Sequence, residues 1–187
     1  MPSLVNAETD ERDALLAFLD AQRGGLRRAV RGLTDEQAAA HPSASAMALG
    51  GLVKHAAHCE HNWVQVILMG RPQAGPGPAA DWQAEFQLLP GETLAGVLAE
   101  LDAVGRATRA AIAELPTLDV LVALPEAPWF PKDGKRSARW ILLHLIEEQA
   151  RHAGHADLIR ESLDGAQAFD LLAQEQQEQQ EQQERQG

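Results

Sequence analysis

Residues 141–161, ILLHLIEEQARHAGHADLIRE, form an unbroken helical stretch in which His144, Glu148, His152 and His155 recur at intervals of four, four and three. With His144 at zero and about 100° per residue, Glu148 falls at about 40°, His152 at about 80° and His155 at about 20°. One narrow stripe therefore carries four potential metal ligands. Imidazole and carboxylate are donors suited to a divalent transition metal. Leu142, Leu145, Ile146, Ala153, Ala156 and Ile159 supply the apolar positions, so the stripe borders a buried face rather than standing opposite it. The plainer alternative is a wet face with weak i, i+4 pairs, and a second cluster weighs against it.

That cluster is SAMALGGLVKHAAHCEHNW, residues 45–63, a helical run with three histidines, the only cysteine and one glutamate. Leu49, Leu52, Val53, Ala56 and Ala57 describe its apolar side, with His55 at the edge. His58 is rotated from His55 by about 60°, His61 by about 120°, and Cys59 by about 40° in the other sense. A metal site in a helical bundle draws its ligands from facing helices, so one histidine of this run with Glu148 and His152 makes a natural triad. Two histidines and a carboxylate leave a coordination position open, which is the form of a catalytic site.

The pairing of LGGLVKHAAHCEHNW with SARWILLHLIEEQARHAGHADLIRE resembles the DinB-like superfamily of metal-binding four-helix bundles, in particular its mycothiol-transferase branch, over roughly residues 9–165. The resemblance implies an up-down-down-up bundle with a long crossover connection, and metal ligands at His55, Glu148 and His152. It further implies a divalent metal, zinc or nickel most often, that activates a low-molecular-weight thiol such as mycothiol for transfer to a small electrophile. An isomerase is the less favoured member of that group, because no separate C-terminal domain follows the bundle.

Composition sets independent limits. A chain of 187 residues with 45% hydrophobic but only 4% aromatic residues and no tyrosine points to one domain with an Ala/Leu-built all-α core. The formal net charge of −11 argues against nucleic acid as a partner. Arg23, Arg27, Arg28 and Arg31 read as a solvated basic face. No run of about 18 apolar residues marks a membrane span, the acidic opening is not a secretory signal, and a lone Cys59 suits a cytoplasmic location. Cys59 itself reads first as a buried, inert thiol.

Four long helices follow from periodicity and caps. They cover residues 10–32, weakened at Gly24 and Gly25; 47–69, capped by Ser45 and stopped at Gly70; 92–115; and 137–162. Thr34 to Gln37 has the form of a capping box before a short turn. The Pro/Gly-rich connection over residues 71–90 is long enough to cross one bundle end. In the connection over residues 117–136, LDVLVAL is open between a short strand and an extended strip. Trp129 and Phe130 lie there just before the ligand helix and are candidate cofactor-binding residues, or else plug the bundle end. Trp63 and Trp140 read as core. Residues 1–165 form the bundle, and residues 166–187 a short extension whose period-three Glu/Gln tail, lacking an apolar stripe, is expected to be solvated and disordered.

Of the other histidines, His41 reads as a surface turn residue, and His58 and His61 as partners of the ligands or exposed groups. His144 and His155 are the candidate catalytic residues, as a general base beside the open position or through a hydrogen bond to a ligand. Glu60 and Asp157 are placed to support the site. Two functions remain: a thiol transferase acting on a small electrophile, and a non-catalytic metal-binding or stress-response module in which the ion fixes two helices. Either admits a homodimer.

Overall fold

Asp10 opens the first helix by accepting the backbone N–H groups of Arg12 and Asp13, and α1 then runs Glu11–Ala29 without interruption at Gly24 and Gly25. The computed structural model describes residues 5–8, 10–73, 82–128 and 130–186. The Thr34/Gln37 capping box is formed and starts α2, Asp35–Ala39. α3 spans Leu49–His61 and continues as a π-helical stretch, Asn62–Leu68, that ends before Gly70 at φ 64°. A 3-10 turn covers Trp82–Phe86, and α4 covers Leu94–Glu114 behind the Thr93 cap. Strands β1, Leu121–Ala123, and β2, Lys135–Ser137, pair antiparallel with Val122 opposite Arg136, so the LDVLVAL segment does contribute a strand. α5 spans Ala138–Asp164, capped by Ser137 and closed by Gly165 in the left-handed region at φ 79°.

The direction of each helix is fixed by its polar ends and core partners. Arg139 holds Glu11 at one end of the α1/α5 pair (2.6 Å), and Arg160 donates to the Ala29 and Arg31 carbonyls at the other (2.9 and 2.8 Å), so these helices are parallel. Lys54 on Glu92 (2.7 Å) and Arg71 on Glu114 (3.0 Å) do the same for α3 and α4. One apolar cluster joins Leu26 and Ala29 of α1 to Leu49 and Leu52 of α3, while a second joins Leu16 and Leu19 to Trp63 and Leu68. α1 and α3 are therefore antiparallel, and the order is up, down, down, up. The fold is an all-α bundle of the DinB-like kind. Among the described residues no helix is long and apolar enough to cross a membrane.

Between the two clusters lies a polar layer at mid-bundle. Arg23 of α1 donates to both carboxylate oxygens of Glu60 on α3 (2.8 Å each), and Gln149 of α5 donates to the same carboxylate (2.8 Å). All three are essentially excluded from water, at 1%, 0% and 1% exposure. Arg23 is thus a core residue, which corrects the reading of a solvated basic face. Arg27, Arg28 and Arg31 are not free cations either, since they pair with Asp102, Glu175 and Glu178.

Three further expectations change. Ser45 does not cap α3: its hydroxyl accepts from Met47, and the N-terminal position belongs to Ala48, whose N–H donates to the Phe86 carbonyl (2.9 Å). The Glu/Gln-rich tail is not disordered but forms α6, Ala168–Gln186. Leu171 buries itself to 3% exposure, and the Glu175 and Glu178 pairs with α1 supply the docking that the absent stripe could not. Trp140 is not core, being 37% exposed, whereas Trp63 is, at 7%.

The crossover connection is seated by Gly51. A Cβ there would stand 2.0 Å from the Phe86 carbonyl carbon and 2.1 Å from its oxygen. Gly→Ala in an open helix stabilises by about 1 kcal/mol. Gly51→Ala is instead expected to destabilise by about 1–3 kcal/mol, the usual range for overpacking, and to lift Phe86 from its place over α3. A urea midpoint that stays level or rises in this variant would refute the close approach.

Candidate metal centre

α3 and α5 run antiparallel side by side, so their stripes meet rung by rung. The His55 and His152 rings stand 4.7 Å apart, edge to face. One turn on, Cys59 lies near Glu148, and beyond it the Trp63 and His144 rings meet at 4.9 Å. Each of His55, Glu148 and His152 offers a ligand atom within 4.8 Å of the other two. Both imidazoles are 6% exposed, while the Glu148 side chain is 29% exposed. Solvent therefore reaches the cluster from the glutamate side. A cleft of about 590 Å³ between α1 and α4, lined by Arg27, Thr34 and Asp102 among others, does not include these residues.

The electrostatics suit a cation. Burial pushes His55 down to about 4, with His152 and His58 adding to the effect and Glu85 opposing it. Burial also lowers His152, against the pull of Glu148. Two neutral imidazoles thus present lone pairs at neutral pH beside a carboxylate. His152 Nε2 lies 3.5 Å from a Glu148 oxygen, and its Nδ1 is buried with no hydrogen-bond partner among the described residues. Buried polar atoms without partners are costly, and a donor set of this kind is what a divalent ion satisfies.

Phe86 of the 3-10 turn covers His55 at 4.3 Å and reaches the His152 ring at 5.6 Å, excluding water from that side. This cover comes from the crossover connection, where no periodicity pointed to it. The other site candidates are distributed around the triad. His155 stands 5.7 Å from His152, ring to ring, with its Nδ1 buried and without a described partner. His144 lies one turn before Glu148, stacked on Trp140 at 5.0 Å. His58 bridges Glu85 (3.0 Å) and Glu100 (3.4 Å) instead of facing the triad. His41 is exposed, as expected of a turn residue.

Cys59 is partly buried, and its thiol is pushed up to about 12, first by burial and then by Glu148, Glu60 and Glu85. It is protonated at neutral pH and unsuited to act as a nucleophile. Phe130 packs edge-on against Trp63 at 5.8 Å. Trp129 lies outside the described residues. Glu60 belongs to the buried layer, and Asp157 is half-buried, raised by that burial against the pull of Arg28.

A helical bundle of up-down-down-up order with a His/Glu/His cluster between its second and fourth long helices is the class defined by this geometry. A family model for mycothiol S-transferases matches residues 14–165, and the chain belongs to that family. The fold is also similar to the crystal structure of a conserved protein from Enterococcus faecalis, with a TM-score of 0.67 and 14% identity, covering 85% of this chain and 100% of that one. No curated protein matches the sequence.

Proposed function

We propose that this protein is a metal-dependent thiol S-transferase whose divalent metal, zinc or nickel, is held by His55, Glu148 and His152. The convergence of those three donors within 4.8 Å is the observation that carries the reading, together with the family match. Bound there, the ion would lower the pKa of a low-molecular-weight thiol, mycothiol or one like it, into the thiolate range. His55 and His152 would hold it through neutral imidazoles, and Phe86 keeps water from their buried side. Glu148, on the more exposed side of the cluster, would supply negative charge to the ion. His144, partly exposed one turn away, receives the proton that the thiol gives up, and His155 orients the His152 ring. Phe130 closes the wall behind His144 by packing on Trp63. The sulfur then bonds to the electrophilic carbon, whose leaving group departs with its electron pair.

Small molecules are the partners in this reading, and a cytoplasmic location accords with a reduced thiol as co-substrate. The test is consumption of mycothiol, and of other thiols, with a generic electrophile by metal-stripped and zinc- or nickel-reloaded protein. Turnover that disappears with the metal and returns on reloading is the expected result. Stability lost with the metal, but no thiol consumed in any state, would replace the enzyme with a metal-binding module.

A further inference from the structure

Arg136, Trp140, His144, Glu148 and His152 follow one another at intervals of four. Along α5 each step climbs about 6 Å and drifts about 40°, so a single strip leads from the triad to the start of the helix. Arg136 precedes the helix on β2, yet its guanidinium carbon lies 4.8 Å from the Trp140 ring centre. Trp140 is in turn stacked on His144, with ring planes 16° apart, and Trp63 closes the inner side at 5.6 Å. The result is a layered strip of guanidinium, indole and imidazole ending at the metal ligands. Trp140 keeps 37% of its surface in water.

Arg136, like Arg12 on the Leu115 carbonyl, is among the arginines that meet no carboxylate, and it alone of these is stacked on an indole among the described residues. Arg23, Arg27, Arg139 and Arg160 each face a carboxylate. Among the described residues Arg136 makes one hydrogen bond, from Nη1 to the Lys135 carbonyl (2.9 Å). A guanidinium stacked on an aromatic face keeps its N–H edge pointing outward, in the fork geometry that matches a carboxylate. The surroundings add to this: two of the three lysines in the chain, Lys132 and Lys135, precede Arg136 with one acidic residue, Asp133, between them, in a protein of net charge −11. Positive charge is concentrated where the strip ends.

We infer that Arg136 and Trp140 form a binding platform for a planar anion, an aryl or conjugated carboxylate, with the carboxylate on the Arg136 edge and the flat body along Trp140 and His144. Trp140 and Glu148 are separated by a rise of about 12 Å, longer than a single bicyclic acid, so an extended conjugated acid is needed to run from Arg136 to the triad. The reactive end of such a molecule would lie beside the triad. That this molecule is the electrophilic co-substrate rests on the transferase reading above; that the strip binds it does not.

The test is calorimetric titration of the full chain, metal-stripped and zinc-loaded, with 2-naphthoate and its neutral counterpart 2-naphthamide. Metal-stripped wild type is expected to bind the carboxylate about tenfold or more tightly than the amide. Arg136→Gln should weaken naphthoate by about 10- to 100-fold, the worth of a charged hydrogen bond, and leave naphthamide within about twofold. Arg136→Lys should regain part of the loss, and Trp140→Ala should weaken both ligands. Equal naphthoate affinity in wild type and Arg136→Gln, or no binding of either ligand at millimolar concentration, overturns the proposal. Naphthoate bound only by the zinc-loaded form would make it a metal ligand and overturn it too. Naphthoate bound through Arg136 in a protein that consumes no thiol would sink the transferase reading and leave the platform standing.

Discussion

His152→Ala is expected to abolish stoichiometric metal binding and to lower thiol-transfer turnover by about 10³-fold or more, while the protein still folds. The size follows from what is lost. A metal ion supplies several kcal/mol of charge stabilisation, and about 4 kcal/mol corresponds to three orders of magnitude in rate. His152 and His55 are the two nearly buried members of the proposed triad, so no water-accessible side chain replaces either when it is cut back. Folding survives because the imidazole sits at the edge of the apolar cluster that holds Leu26, Leu49 and Phe86 and its Nδ1 makes no hydrogen bond to a described residue, so little native bonding disappears with it. His144→Ala provides the contrast. It should keep full metal content, since its ring lies among Trp63 and Trp140 rather than in the triad, and should lower turnover alone. Metal analysis with the thiol assay reads both outcomes. Stoichiometric zinc or nickel in purified His152→Ala would remove this residue from the site.

Glu60→Ala is expected to cost about 3–5 kcal/mol of stability, the range found when one partner of a buried ion pair is removed. The loss would leave Arg23 with Asp20 as its carboxylate partner and would strip Gln149 of the hydrogen bond that its amide donates. The Gln149 carbonyl oxygen already has no partner among the described residues. For a domain whose total stability lies in the range of about 5–15 kcal/mol, that is a large fraction. Replacing the whole layer should behave differently. Arg23→Met, Glu60→Leu and Gln149→Leu together remove the three buried polar side chains of this layer at once, and buried ion pairs exchanged for apolar side chains often come out level or more stable. Urea unfolding of the single and triple variants separates the cases. A triple variant as unstable as Glu60→Ala would show that the layer contributes net stability rather than only requiring completion.

The helices themselves were largely readable. Asp10, Thr34, Thr93, Ser137 and Gly165 mark their own helix ends by local hydrogen bonding or left-handed backbone, and each acts within a few residues of its position in the chain. The misreading of Ser45 has a tertiary cause: the N–H that a cap would satisfy is that of Ala48, and it is taken by Phe86 from a distant connection. The α6 segment was misread for a related reason, because its docking depends on Arg28 and Arg31 nearly 150 residues away. The buried layer carries a signal of its own in the sequence. Arg23 interrupts the apolar series Leu16, Leu19, Leu26; Glu60 interrupts Val53, Ala56, Val64; and Gln149 interrupts Leu142, Leu145, Ala156. A polar residue on the apolar stripe of each of three helices predicts a shared partner.

Spacing along one helix placed His144, Glu148, His152 and His155 on a common stripe, since the 3.6-residue turn is a local property that any stretch of about ten residues carries. Local spacing did not say which of His55, His58 and His61 would face that stripe; the family resemblance singled out His55. In the folded chain the antiparallel seating of α3 on α5 brings His55 to it, while Glu85 and Glu100 engage His58. The cover of Phe86 over His55, the close approach at Gly51 and the stacking of Arg136 on Trp140 likewise exist only in three dimensions. Register between helices is set by side-chain packing and by the course of the connections, and no local window of residues contains either.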